Sequence, residues 1–144
     1  MRATSSTILL VQNNSHDALR LMYAFARAAH TAPIEFTRDG VDAVAQLAGT
    51  GSYGDRALFP TPGLIVIDLD LDSGSGFEIL KWIQSSPDLA GLPSVVLTSS
   101  RRPQDVARAF ALGAHQYRVT PASLSDLCRT ARDIDEYWHA VRRS

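Results

Sequence analysis

The run Asp68-Leu69-Asp70-Leu71-Asp72 follows directly on the apolar stretch Leu64-Ile65-Val66-Ile67. A carboxylate at the end of such a strand can attack a phosphoryl group, or give a hard oxygen to a divalent cation. Polar residues close three other apolar runs as well: Gln12-Asn13, Thr98 and Thr120-Pro121. These side chains are neutral, so none of them brings a charge.

Other reactive side chains are scattered. His16, His30, His115 and His139 show no ligand spacing, and the single Cys128 excludes an internal disulfide or a multi-cysteine zinc site. Asp17 reads as a first-turn helix charge rather than a metal ligand. Asp72 is expected to face solvent. The chain has thirteen arginines and one lysine, Lys81, placed one turn into a helix and read as solvated. Arg118 shares a strand face with position 120, which makes it one candidate cation near the strand ends; the other reading is a solvent-reaching or interface arginine. Arg101-Arg102 and Arg142-Arg143 read as solvated. Gly49, Gly51 and Gly54 have dinucleotide-fingerprint spacing, but they follow a helix and run into Pro60 and Pro62, so the segment from 49 to 62 reads as a flexible connection.

Strands and helices in alternation must position these groups. Short apolar runs predict strands at 8–11, 64–67 and 93–97, with weaker ones at 34–37 and 115–119; the third is central. Ala18, Met22, Phe25 and Ala29 predict one helix, capped by Asn14. Asp39-Gly40 opens a second, carrying Val44, Leu47 and Ala48. Phe77, Leu80 and Ile83 mark a third, after the turn at Gly74 and Gly76. Pro103 and Gly113 bracket a fourth. Ser123 and Asp126 open a fifth, whose stripe is Leu124, Leu127, Ala131, Ile134, Trp138 and Val141. The pattern predicts an α/β fold, a (βα)5 doubly wound five-stranded parallel sheet with chemistry at the carboxyl ends of its strands.

Length and composition fit one domain over residues 1–144, with a core of about 6–142. A net charge of −1 gives no field for nucleic acid or an anionic membrane. No apolar run reaches the ~18 residues of a span, and no leader is visible at Met1–Thr7. A cytoplasmic protein is expected.

The motifs I-L-L-V-x-x-N at 8–14, D-L-x-L-x-x-x-x-G at 68–76, V-V-L-T-S-S at 95–100 and A-x-A-L-G-A at 109–114 resemble the receiver domain of two-component response regulators. Tyr53-Gly54-Asp55 and Tyr137-Trp138 are similar to short stand-alone regulators of phytochrome-type sensor kinases. The resemblance implies a flavodoxin-like fold and a histidine kinase that phosphorylates Asp68. It implies switch residues at Thr98 and Tyr117, and a cis bond before Pro121. It also implies departures: the acidic pair that helps hold Mg²⁺ is Gln12-Asn13, and the phosphoryl-contacting lysine is Thr120. At Asp70 the family uses the backbone carbonyl.

Mg²⁺ needs anionic oxygens to offset its dehydration, and phosphoryl transfer needs positive charge near the transferred oxygens. With Asp68 and Asp70 as the remaining candidates, metal binding is expected to be weak or absent. The lost acids and the lost lysine match, since an unpaired buried ammonium is costly. The expected protein is therefore an atypical single-domain response regulator, not an enzyme, that acts through protein–protein contacts with phosphorylation absent or inefficient. Partners are a sensor histidine kinase or another signalling protein, and a second copy through helix 4, strand 5 and helix 5. In that dimer Tyr137 is expected at the outer surface, rotated about 100° from Trp138. Two alternatives stand: a conventional phosphorelay receiver phosphorylated on Asp68, and, more remotely, a haloacid-dehalogenase-like phosphatase using Asp68 and Asp70.

Overall fold

The computed structural model describes residues 7–28, 32–71, 74–89 and 91–143. Five strands, β1 (Ile8–Val11), β2 (Ile34–Thr37), β3 (Leu64–Ile67), β4 (Ser94–Thr98) and β5 (Gln116–Val119), form one sheet in the order β2-β1-β3-β4-β5. Every pairing is parallel, and β3 is central as expected. The helices are α1 (Ser15–Arg27), α2 (Gly40–Ala48), α3 (Gly76–Ser85), α4 (Pro103–Ala111) and α5 (Leu124–Arg143). This is the flavodoxin-like (βα)5 arrangement.

Side chains alternate along each strand, so the sheet separates two cores. Leu9, Val11, Ile65, Ile67 and Val96 pack with α2, α3 and α4. Ile8, Leu10, Val66, Val95 and Leu97 pack with α1 and α5, where Trp138 is fully buried. The indole Nε1–H of Trp138 donates to the Gly63 carbonyl at 3.1 Å, which satisfies its one polar atom. Four of the six expected positions on α5 are core; Leu124 and Val141 remain 40% and 37% exposed.

Caps fall where the sequence placed them. Asn14 accepts from the Asp17 amide at 2.8 Å, Asp39 from Val41 at 2.8 Å and Ser123 from Asp126 at 3.1 Å. Two helix stripes need correction. The buried face of α1 is Ala18, Leu21, Ala24 and Phe25, with Met22 at its margin; Ala29 and His30 lie outside the described residues. On α2 the buried residues include Ala43, Gln46 and Leu47, while Ala48 is exposed. The buried faces lie a few tens of degrees from the stripes that spacing predicts, because small residues fit either flank of a buried face.

The segment after α2 is a built loop, not a loose connection. Gly49 has φ 72° and ends α2 in the left-handed region that glycine favours. The Arg56 guanidinium then donates to the carbonyls of Gln46 (2.9 Å), Leu47 (2.8 Å) and Phe59 (3.1 Å). The bonds to Gln46 and Leu47 satisfy carbonyls of the last turn of α2 that would otherwise lack partners. Tyr53 donates to Asp42 at 2.7 Å, and that bond with burial pushes its phenol up to about 12.

Candidate functional site

Strand-end backbone carries the sheet ladder into the site. The Asp68 amide donates to the Val11 carbonyl at 2.8 Å, Gln12 to Thr37 at 3.1 Å, and Thr120 to Thr98 at 2.8 Å. The residues just past β1, β3 and β5 are therefore held at one edge by main-chain bonds. Gly76 completes the fixing of Asp68. A Cβ at position 76 would collide with the Asp68 carbonyl oxygen and lie within 3.0 Å of Ile67 and Leu69 atoms. Only glycine lets α3 start that close to the end of β3, which gives the glycine at the end of the 68–76 motif a physical reason.

Gln12, Asn13, Asp68, Asp70 and Thr120 line one cavity of about 140 Å³, together with Asp17, Arg20 and Ser99. The structure brings together the positions that the sequence singled out at three strand ends. Thr98 is buried, 1% exposed, beside it. Larger clefts exist, including one of about 790 Å³ between the ends of α2 and α3, but it holds none of the strand-end groups.

Asp68 is half-buried, and that burial pushes its carboxyl above the ordinary carboxylate range. The Thr98 side chain and the Asp70 and Leu69 amides bond to it and pull the other way, while the negative charge of Asp70 raises it again. The Asp70 amide lies 3.4 Å from Asp68 Oδ1. Asp70 itself is exposed and pairs by backbone with Ser75. Asp72 lies outside the described residues.

Other expected residues fall elsewhere. Tyr117 is partly buried and its hydroxyl donates to the Ser100 carbonyl at 3.0 Å. Arg118 is not the cation of the cavity: it pairs with Asp133 of α5 at 3.0 Å, as strand alternation directs it to that helix. The Thr120–Pro121 bond is trans, against the expected cis form. Trans is the lower-energy isomer before proline, by about 0.5–1 kcal/mol. His115 is structural, its Nδ1 accepting from the Ser94 amide at 3.1 Å. Tyr137 packs on the margin of the α1–α5 core and stays partly exposed, and burial pushes its phenol up. The ring covers the margin of the Trp138 core.

Arg20 is the residue that the sequence reading missed. It lies on α1, one helical step beyond Asp17, and lines the cavity with Gln12 and Asn13. One guanidinium nitrogen donates to the Ala122 carbonyl at 3.1 Å, tying α1 to the segment after β5. The i, i+3 relation to Asp17 was a usable signal; nothing in residue type distinguished it from twelve other arginines.

The divalent cation that the resemblance implies does not fit this donor set. Of the carboxylates lining the cavity only Asp68 is half-buried, Asn13 is exposed and neutral, and the amide nitrogen of Gln12 is buried without a partner. That nitrogen offers N–H bonds where a metal needs a lone pair. Among the described residues no three His, Cys, Asp or Glu side chains are grouped to hold an ion.

Residues 8–132 match the family described as the response regulator receiver domain. The chain is 39% identical over 137 residues to the probable methanogenesis regulatory protein FilR2 of Methanothrix harundinacea, covering 95% of this chain and 86% of that protein. It is 32% identical over 131 residues to response regulator Rcp1 of Synechocystis sp., covering 91% and 87%. The crystal structure of the phosphorylated cyanobacterial phytochrome response regulator RcpA superposes with a TM-score of 0.85 at 32% identity, covering 94% of each chain.

Proposed function

Because this chain belongs to the response regulator receiver domain family, we propose that it works in two-component signalling as an atypical regulator, one that acts by binding partners and takes up phosphate through Asp68 slowly or not at all. The observation that carries this reading is the neutral pair Gln12-Asn13 facing Asp68 in one cavity whose Thr120 replaces the expected lysine. Both sources of positive charge for a transferring phosphoryl group, a tightly held metal and an ammonium, are weakened together. We take residues 1–144 as one receiver domain, with Thr98 and Tyr117 at the switch positions.

Its partners in this reading are a sensor histidine kinase of the phytochrome type, or another signalling protein, and a second copy of the chain. For the pairing surface of α4, β5 and α5, support comes from Phe110, 48% exposed on α4. Among the described residues no helix is long and apolar enough to cross a membrane, which agrees with a cytoplasmic role.

The conventional alternative has one specific support: RcpA, at 32% identity, is phosphorylated in its crystal structure. The phosphatase alternative has none, since Asp70 is exposed and its amide serves Asp68. Mixing the protein with a phytochrome-type sensor kinase whose histidine carries labelled phosphate separates the first two. The atypical regulator binds the kinase and leaves the label on it; a conventional receiver drains the label within minutes.

A further inference from the structure

Asp68 and Arg20 line the same cavity, yet they form no ion pair with one another. Arg20 uses one of its five N–H donors on the Ala122 carbonyl and makes no other bond among the described residues. The remaining donors of a planar guanidinium match the paired oxygens of a phosphoryl group.

A second observation concerns Gln12. It is 5% exposed, lines this cavity, and its amide nitrogen has no partner. A buried unpaired N–H group costs about 1–3 kcal/mol. An acceptor oxygen bound in the cavity that Gln12 lines would offer that donor a partner. Thr120 and Ser99 add hydroxyls to the same wall. Two further carboxylates, Asp17 and Asp70, also reach the cavity; both are exposed, and Asp17 already accepts from the Asn14 side chain at 3.0 Å. The half-buried charge balance is thus one carboxylate, Asp68, against one guanidinium.

We propose that Arg20 is the oxyanion-recognising cation of this cavity, so that a phosphoryl-type group on Asp68 is held by a guanidinium and neutral donors instead of a divalent metal and a lysine. This rests on the reading of the site as poor in metal ligands. When such a group forms, an Asp68 carboxylate oxygen bonds to phosphorus as the donor's bond to phosphorus breaks. The leaving group keeps the electron pair and takes a proton from water. The adduct carries two negative charges where Asp68 carried one, and one guanidinium offsets half of them. Recognition is retained, while transfer lacks the divalent metal that would make it fast.

The test uses beryllofluoride, a tetrahedral phosphoryl mimic that coordinates a carboxylate oxygen, followed by fluorine NMR in buffer with EDTA. The native chain should show a saturable bound signal without magnesium, absent in Asp68→Asn. Arg20→Ala should weaken binding about tenfold or more, the size of a lost hydrogen bond to a charged group. The double variant Arg20→Ala with Thr120→Lys should recover it, because an ammonium at 120 replaces the charge but not the tie to Ala122. Failure of that rescue would reduce Arg20 to a structural tether and overturn the proposal. So would metal-independent binding that ignores Arg20→Ala, or no bound signal at all. Tight binding that requires magnesium would instead overturn the reading on which the proposal rests.

Discussion

The Tyr117 hydroxyl donates to the Ser100 carbonyl at 3.0 Å and so fastens β5 to the loop that leaves Thr98. That loop is bonded a second time, by Ser100 Oγ to Asp105 at 2.6 Å. Tyr117→Phe removes the first bond and keeps the ring in place. We expect a loss of about 1 kcal/mol and faster amide exchange confined to residues 99–102. Exchange unchanged at those amides would show that the aromatic does not hold the loop.

Asp68 gives a pH-dependent prediction. Its folded pKa lies above its unfolded value, so the folded state binds more protons between the two. Stability contributed by the protonated form is full below the ordinary carboxylate pKa and falls as pH rises through the raised one. Asp68→Asn should therefore melt higher than the native chain at pH 7, with the gap closing toward pH 3 in thermal scans.

Much of this was legible in the sequence. The runs Ile8–Val11 and Leu64–Ile67 are buried along their whole length, and such strands leave no ambiguity about which residue stands at the exit. Positions 12, 68 and 120 followed from that. Arg20 did not, because its place in the cavity depends on how α1 packs, and a long flexible cation reaches several places from one backbone position. Arg56 was hidden for the same reason. Helical angle alone does not give how far the Tyr137 ring folds back onto the core beside it.

Magnesium affinity should respond to charge at positions 12 and 13. Gln12→Glu with Asn13→Asp places two carboxylates beside Asp68, and calorimetry should show affinity rising at least about tenfold. Tight binding by the native chain would remove the basis for calling the site metal-poor.

Thr120→Lys alone should leave phosphorylation by acetyl phosphate slow. The ammonium returns, but the metal that would orient and neutralise the transferring group does not. A fast reaction in this single variant, modified at Asp68, would mean that the lysine and not the metal was the decisive loss.

The most direct measurement is intact mass after incubation with Mg²⁺ and acetyl phosphate, comparing the native chain with the triple variant Gln12→Glu, Asn13→Asp, Thr120→Lys. The native chain should stay largely unmodified over the time in which the triple variant gains one phosphoryl group, removable by Asp68→Asn. Stoichiometric modification of the native chain at Asp68, at the rate of the triple variant, would contradict the account.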